Sequence, residues 1–293
     1  MPSQTMESEQ TQERDFVGIA KAYAKKALSK RHRKHFGIWI RLAAQRFLND
    51  LARAKLKSAP FYFDEWHARD VCDFAEKLPH VEGVWEKPTI VLHESHVFFL
   101  VQLFGFRKPD GTRRFSKALF AVARKNAKST LAAIIGLYCQ NCEEEIGPQI
   151  ITGATTGQQA RIVFNVAKRM VEKTFELREA FGLVPYANAI ASLNNGGTYK
   201  PINAKASTQD GLNPSCVILD EIHAHKDHDL LNVLVSAAGA RANVLFLLLT
   251  TEGYDSPGPW SEEREFAKKV LIGVVEADHF LALYYAVDEK NED

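Results

Sequence analysis

The 293-residue sequence has only four cysteines, and their placement excludes a disulfide framework. Cys72 and Cys216 stand alone. Cys139 and Cys142 form a C-x-x-C with no second ligand pair, so the two read as small residues on a helix rather than a zinc or redox site. No apolar run reaches the roughly 18 residues of a membrane span. The opening stretch, MPSQTMESEQTQERD, is polar and mixed in charge, unlike a signal peptide. A protein with no membrane partner, resident in the cytoplasm, is the expectation. Internal repeats and low-complexity tracts are absent too. Net charge is almost absent, with 37 Lys/Arg against 36 Asp/Glu, but its distribution is uneven. Residues 1–57 hold 13 Lys/Arg and 5 Asp/Glu, so the rest of the chain is acidic. The basic stretch either meets nucleic-acid phosphates or is a solvated helix face.

Along the chain, residues 1–15 read as disordered. Phe36, Ile40, Ala43, Phe47 and Leu51 then recur at helical spacing, giving one or two amphipathic helices between about 15 and 57. Pro60 ends them, and residues 61–78 form another short helical piece. Residues 88–106 mix β-branched and aromatic side chains without a clear period. From there strands and helices alternate. Strands are expected at 115–123, 149–154, 215–220, 244–250 and 280–286. Helices are expected at 129–142, 156–175, from 221 to about 240, and at 261–275, with short strands and loops across 188–213. Near-continuous apolar strands between helices are what a mostly parallel central sheet flanked by helices requires, an α/β fold.

Three strand ends carry chemistry. VARKNAKST, residues 122–130, lies where an apolar strand passes into a helix. A phosphate loop there needs inward backbone N–H groups, a lysine for the β- and γ-phosphate oxygens and a hydroxyl for magnesium. Lys128 and Ser129 stand in those places, although Val122 and Ala127 replace the two customary glycines. CVILDEIHAH, residues 216–225, ends a buried strand in two acids at the edge where open α/β sheets bind ligands. Asp220 suits magnesium through a water, and Glu221 suits a general base for the attacking water. LLLTTEG, residues 247–253, ends a third buried strand in Thr250 and Thr251, two hydroxyls suited to sensing the γ-phosphate. His223, His225 and His228 imitate a zinc cluster, and are not taken as one.

The phrases ARKNAKSTLAA, ITGATTGQQARIVFNVAKRMV, DGLNPSCVILDEIHAH, GARANVLFLLLTTEG and FLALYYAVDE resemble the large terminase subunits of tailed bacteriophages, in order from about Arg46 to Asp288. The resemblance implies a P-loop NTPase of the additional-strand, catalytic-glutamate type with an N-terminal helical subdomain. It implies Mg²⁺ with ATP as cofactor and substrate, and coupling of hydrolysis to translocation of double-stranded DNA into a procapsid. Its implied partners are a portal protein, a small terminase subunit and copies of itself in a ring, all in the cytoplasm of the bacterial host. By the same likeness Arg124, Lys125, Asn126, Ala127, Lys128, Ser129 and Thr130 form the nucleotide loop, with Ser129 and Asp220 for metal. Glu221, Arg124 and Lys128 are the catalytic set, and Thr250 and Thr251 the coupling motif. Arg124 is a charge-stabilising finger, Arg241 a second candidate, and Arg161 and Arg169 candidates reaching a neighbouring subunit's nucleotide.

The sequence departs from the family's pattern at Ala127, where glycine is usual, and at His96, where an adenine-reading glutamine is usual. The expected division is a basic helical segment at 1–57, the ATPase domain at 58–275 and, from 276 to 293, the start of a linker toward a nuclease domain that the chain lacks. Asp288, Glu289, Glu292 and Asp293 read as linker rather than nuclease ligands. DNA cleavage is therefore not expected. The rival readings are a helicase-like ATPase and a truncated prophage product that binds nucleotide or partner proteins without turnover.

Overall fold

The computed structural model describes residues 14–203, 211–239, 241–251 and 258–288. The expectation of disorder over residues 1–13, and the readings placed on Glu252, Gly253, Glu289, Glu292 and Asp293, lie outside that set. Arg14 and Asp15 are ordered, contrary to the expected disorder through residue 15. Arg14 pairs with Glu76, and the Asp15 carboxylate caps the first helix by accepting from the Gly18 amide at 2.8 Å.

The N-terminal third is helical. Helix α1 (Phe16–Leu28) leads through a 3₁₀ turn (Lys30–His35) into α2 (Ile38–Arg53). A two-residue strand β1 (Tyr62–Phe63) precedes α3 (Glu65–Lys77), whose first turn is capped by Asp64. Next come α4 (Glu94–Gly105) and β2 (Phe106–Arg107). Helix α4 was not legible as a helix. Every residue from Val97 to Gly105 is buried, so the run shows no apolar face, and periodicity cannot separate helix from strand. The polar cue was at its start, where His93 accepts from the Ser95 amide and Glu94 sits in the first turn.

The alternating part begins with β3 (Lys117–Ala121), α5 (Lys128–Asn141), β4 (Gln149–Ala154), α6 (Gly157–Lys173) and the short α7 (Phe175–Phe181). Strands β5 (Leu183–Pro185), β6 (Ile190–Ser192) and β7 (Thr198–Asn203) follow, then β8 (Cys216–Leu219) and a 3₁₀ turn (Ile222–Ala224). The chain continues through α8 (Asp229–Ala237), β9 (Leu245–Thr250), α9 (Pro259–Leu271) and β10 (Phe280–Tyr284). The helix expected from 221 to 240 is thus a turn plus a nine-residue helix.

Eight strands form one sheet in the order β10-β3-β9-β8-β4-β7-β6-β5. The first six run parallel, β6 runs against them, and the edge strand β5, antiparallel to β6, returns to their direction. The order matters for function. Strand β9 is inserted between β3, which feeds the expected phosphate loop, and β8, which ends in the paired acids. That is the additional-strand arrangement of the expected fold class. The register sets Ala121 opposite Thr250 and Leu219 opposite Leu248, so the three motifs finish at one carboxyl edge.

Both faces of the sheet are covered. One carries a core with Phe98, Phe99, Phe104, Phe164 and Tyr138, from α4, α5 and α6; the other packs Leu219, Leu248, Leu234 and Trp260 beneath α8 and α9. Each fully buried phenylalanine contributes roughly 2–3 kcal/mol. The N-terminal helices belong to this core, since Phe16, Ala20, Ile40 and Phe47 are buried in it.

The sheet continues past residue 275, where the start of a linker was expected. Strand β10 pairs with β3 over five residues and is wholly buried, so 280–284 is integral to the domain. A run such as FLALY leaves water only by pairing and packing on both sides. Asp288, expected as linker, accepts from the Ile38 amide at 2.5 Å and lies 3.5 Å from Arg41, holding the start of α2. No helix among the described residues is long and apolar enough to cross a membrane.

Candidate active site

The parallel strands aim their carboxyl ends at the first turn of α5, where unsatisfied N–H groups favour an anion. Val122 donates its amide to the Thr250 carbonyl at 3.1 Å and Asp220 to that of Gly153 at 3.1 Å, fixing the strand ends side by side. The chain then turns sharply. Lys125 (φ 68°) and Ala127 (φ 52°) are left-handed in the loop, and so is Glu221 (φ 52°) just past β8. Of the four non-glycine residues with positive φ among the described residues, three therefore flank this edge. Left-handed backbone costs an L-residue about 1–2 kcal/mol, and such strain concentrates at functional sites. The Asn126 side chain braces the loop by donating to the carbonyls of Ala123 (2.9 Å) and Arg124 (3.3 Å).

Lys128 opens α5 and is buried, and its amine bridges the two acids. Nζ stands 2.7 Å from Asp220 Oδ1 and 2.6 Å from Glu221 Oε1. Asp220 Oδ1 also accepts from the Glu221 amide at 2.9 Å. Burial would push the Glu221 carboxyl up, but the hydrogen bond and charge of Lys128, with smaller help from His223 and Thr251, outweigh it and hold it below the usual range. Glu221 is therefore ionised near neutrality, as a base must be. The ring of carboxylates is closed from the other side by β9. Thr251 Oγ1 donates to Glu221 Oε2 at 3.3 Å, and His223 Nδ1 lies 2.8 Å from Thr250 Oγ1 and 3.1 Å from Glu221 Oε2.

A cleft of about 970 Å³ opens beside these groups, walled by Arg124, His223, Thr251, Tyr23, Phe36 and Tyr285. A second, of about 640 Å³, runs along the other side of the loop past Lys125, Asn126, Ala127, His96 and Phe120. His96 shares a hydrogen bond with the Asn126 carbonyl at 3.3 Å, and because a carbonyl only accepts, Nε2 is the donor. Burial pushes its imidazole down to about 4, against the opposing pull of that carbonyl, so the ring is neutral at pH 7.

Ser129 and Thr130 are half-buried in the first turn of α5. The Ser129 hydroxyl and Asp220 carboxylate are hard oxygen donors, and the two acids already hold one cation, the Lys128 ammonium. This set suits Mg²⁺, which binds through one or two protein oxygens plus substrate phosphates.

Arg124 is exposed at the larger cleft, with no ion-pair partner among the described residues. Arg241 is elsewhere. It donates to the carbonyls of Asn213 (3.2 Å), Ile146 (3.1 Å) and Gly147 (2.7 Å) and pairs with Glu145 at 2.8 Å. Those partners precede β4 and β8, so Arg241 sits at the opposite, amino edge of the sheet and does not join the site within the chain. Its fork serves as a clamp between loops. Arg161 donates to Asn188 at 2.7 Å and Arg169 pairs with Glu82 at 2.5 Å, both on the outer side of α6, and neither lines the two clefts.

The three histidines diverge. His223 is bonded to Thr250, His225 is held neutral by burial, and His228 faces Glu262 at 3.4 Å. Sequence reasoning missed the walls of the clefts. Tyr285 was signalled by its place at the end of an apolar strand, whereas Tyr23 of α1, and His35 and Phe36 between α1 and α2, carried no signal of a site.

Comparison with known proteins bears on family and fold. The sequence model of the terminase large subunit, ATPase domain, matches residues 94–269. The large terminase subunit of Enterobacteria phage HK97 is 32% identical over 151 residues, which is 50% of this chain and 29% of that protein. Protein YmfN of Escherichia coli K12 is 33% identical over 112 residues, 38% of this chain and 24% of that protein. The crystal structure of the HK97 large terminase superposes with a TM-score of 0.64 at 26% identity, covering 77% of this chain and 45% of the other. The chain thus spans less than half the length of these relatives.

Proposed function

Since the chain belongs to the family of terminase large-subunit ATPase domains, we infer that it hydrolyses Mg-ATP at the Lys128–Asp220–Glu221 edge and converts the energy into translocation of double-stranded DNA. The observation that carries this reading is the convergence of one buried amine from the loop on the two acids of a separate motif, 2.6 and 2.7 Å away. Lys128 is then the ligand for β- and γ-phosphate oxygens, which compete with the carboxylates for the same ammonium. Release of Glu221 Oε1 from the amine frees that oxygen to accept a proton from water. The water oxygen bonds to the γ-phosphorus as the bond to the bridging oxygen of ADP breaks, and Glu221 takes the water's proton. Arg124, exposed at the cleft, neutralises charge building on the γ-phosphoryl oxygens. Ser129 and Asp220 would hold Mg²⁺, which when bound supplies charge neutralisation across the β- and γ-phosphates.

Thr251 bonds to Glu221 and Thr250 ends the inserted strand, which supports their role in passing the state of the site to β9. A portal protein, a small terminase subunit and a ring of like subunits in the host cytoplasm are the partners and setting that follow from this reading. In such a ring Arg161 and Arg169, on the outer side of α6, would approach a neighbour's nucleotide. His96, hydrogen-bonded to the loop backbone, would read the base.

The test is phosphate release from Mg-ATP by the purified chain, with and without double-stranded DNA. Turnover above background, abolished in Glu221→Gln, is expected. Equal release by wild type and Glu221→Gln would overturn the assignment.

A further inference from the structure

His223 reads as a decoy for zinc, yet its Nδ1 touches both the base and the last residue of the inserted strand. The hydrogen positions follow from its neighbours. Thr250 Oγ1 donates to the Thr251 carbonyl at 2.8 Å, which uses its only hydrogen. At 2.8 Å from His223 Nδ1, that hydroxyl must therefore accept, and Nδ1 carries the hydrogen. The same Nδ1 lies 3.1 Å from Glu221 Oε2. The two carboxylate oxygens of Glu221 are thus divided between motifs. Oε1 is held by Lys128 of the phosphate loop, and Oε2 faces His223 and Thr251 at the end of β9.

We propose that His223 is a positioning residue for Glu221, its one Nδ1–H, directed at Thr250 Oγ1, being shared with Glu221 Oε2 3.1 Å away and so tying the base to the end of β9. The inference rests on the hydrolytic reading above and extends it. When the triphosphate draws Lys128 away, Oε1 loses its partner and only the contacts at Oε2, a long 3.3 Å bond from Thr251 and the approach of His223, hold the carboxylate. Glu221 stands on a left-handed backbone position just outside β8, where its main chain alone does not fix the head group. A donor anchored to Thr250 keeps Oε2 in place and leaves Oε1 toward the water. It also makes the position of the base depend on the position of β9, so the strand that is to move senses whether the base is set. The imidazole suits this because the ring is rigid, and its side chain is only 23% exposed.

Amide isosteres separate this role from a merely structural one. Asn places its side-chain nitrogen where Nδ1 stands, whereas Gln reaches the Nε2 position. In steady-state hydrolysis by the full chain, His223→Ala and His223→Gln are expected to lower kcat at least 10-fold with KM changed less than 3-fold. His223→Asn is expected to stay within about 3-fold of wild type in both. Wild-type kcat in His223→Ala, or loss in His223→Asn as deep as in His223→Ala, would overturn the proposal. A readout free of turnover accompanies it. Nitrogen NMR of ¹⁵N-histidine-labelled protein, without nucleotide, should show hydrogen on His223 Nδ1, with the signal moved in both Thr250→Val and Glu221→Gln. A bare Nδ1, or a signal indifferent to both changes, would contradict the bridge whatever the turnover. If wild type releases no phosphate while the NMR result holds, it is the hydrolytic reading that fails and the positioning role falls with it.

Discussion

Lys128 Nζ and Glu221 Oε1 stand 2.6 Å apart although 93 residues separate them and their strands are not neighbours in the sheet. The inserted strand β9 lies between β3 and β8, so the contact is made across its end rather than along a hydrogen-bonded pair. On the proposed reading, phosphate would compete with the carboxylates for this cation, and that competition would tie nucleotide binding to release of the base.

The loop's left-handed Ala127 makes a stability prediction. At φ 52° a Cβ is strained, and glycine there removes a penalty of about 1–2 kcal/mol while adding up to about 1 kcal/mol of unfolded-state entropy. Ala127→Gly should therefore be neutral or more stable by up to about 1 kcal/mol in urea unfolding, and Ala127→Val less stable. Greater stability in the valine variant would show that the loop is not held in this conformation.

His96 predicts a pH dependence. Its imidazole is held down to about 4 in the folded chain, while an unfolded histidine titrates near 6.5, so the unfolded state takes up the proton first as pH falls. The sign is fixed by that order: the contribution is full above about 6.5 and is lost progressively between 6.5 and 4, by up to about 3 kcal/mol. His96→Gln should flatten the stability curve over that window. An unchanged slope in the variant would place the buried imidazole elsewhere.

Arg124 and Arg241 should separate cleanly. Arg124→Ala is expected to lower kcat with melting temperature unchanged, since the side chain is exposed at the cleft. Arg241→Ala is expected to lower stability by about 1–3 kcal/mol through four lost acceptors, with kcat retained. Reversed outcomes would assign the finger to Arg241.

Gly136 lies in α5 against the ring of Tyr199, where an added Cβ would come within 2.7 Å of Cε1. Overpacking costs about 1–3 kcal/mol, only partly offset by alanine's helix preference. Gly136→Ala should lower the melting temperature, and a rise would mean that α5 and β7 pack less closely.

Much of the site could be read from residues because each motif sits at a strand end, and apolar strands ending in polar residues are a strong local signal. VILDE and LLLTT gave both the strand and the chemistry. The pairing of β9 between β3 and β8 could not be read that way, since strand order is a matter of distant packing; it came only through family likeness. Helix α4 stayed hidden because complete burial erases periodicity, and β10 passed for the start of a linker because its partner, β3, lies more than 150 residues upstream. Arg241 was misleading for a related reason: an arginine at a turn looks alike at either edge of the sheet, and only its carbonyl partners reveal which edge it serves. His223 was set aside because three nearby histidines suggest metal, whereas its meaning lay in the hydroxyl of Thr250.

The central claim is that Lys128 and the two acids form one triphosphate pocket, and ATP titration by calorimetry tests it directly. With Mg²⁺ present, wild type and Glu221→Gln should bind ATP with comparable affinity, whereas Lys128→Ala should lose at least 100-fold. Binding by Lys128→Ala as tight as wild type would contradict the account.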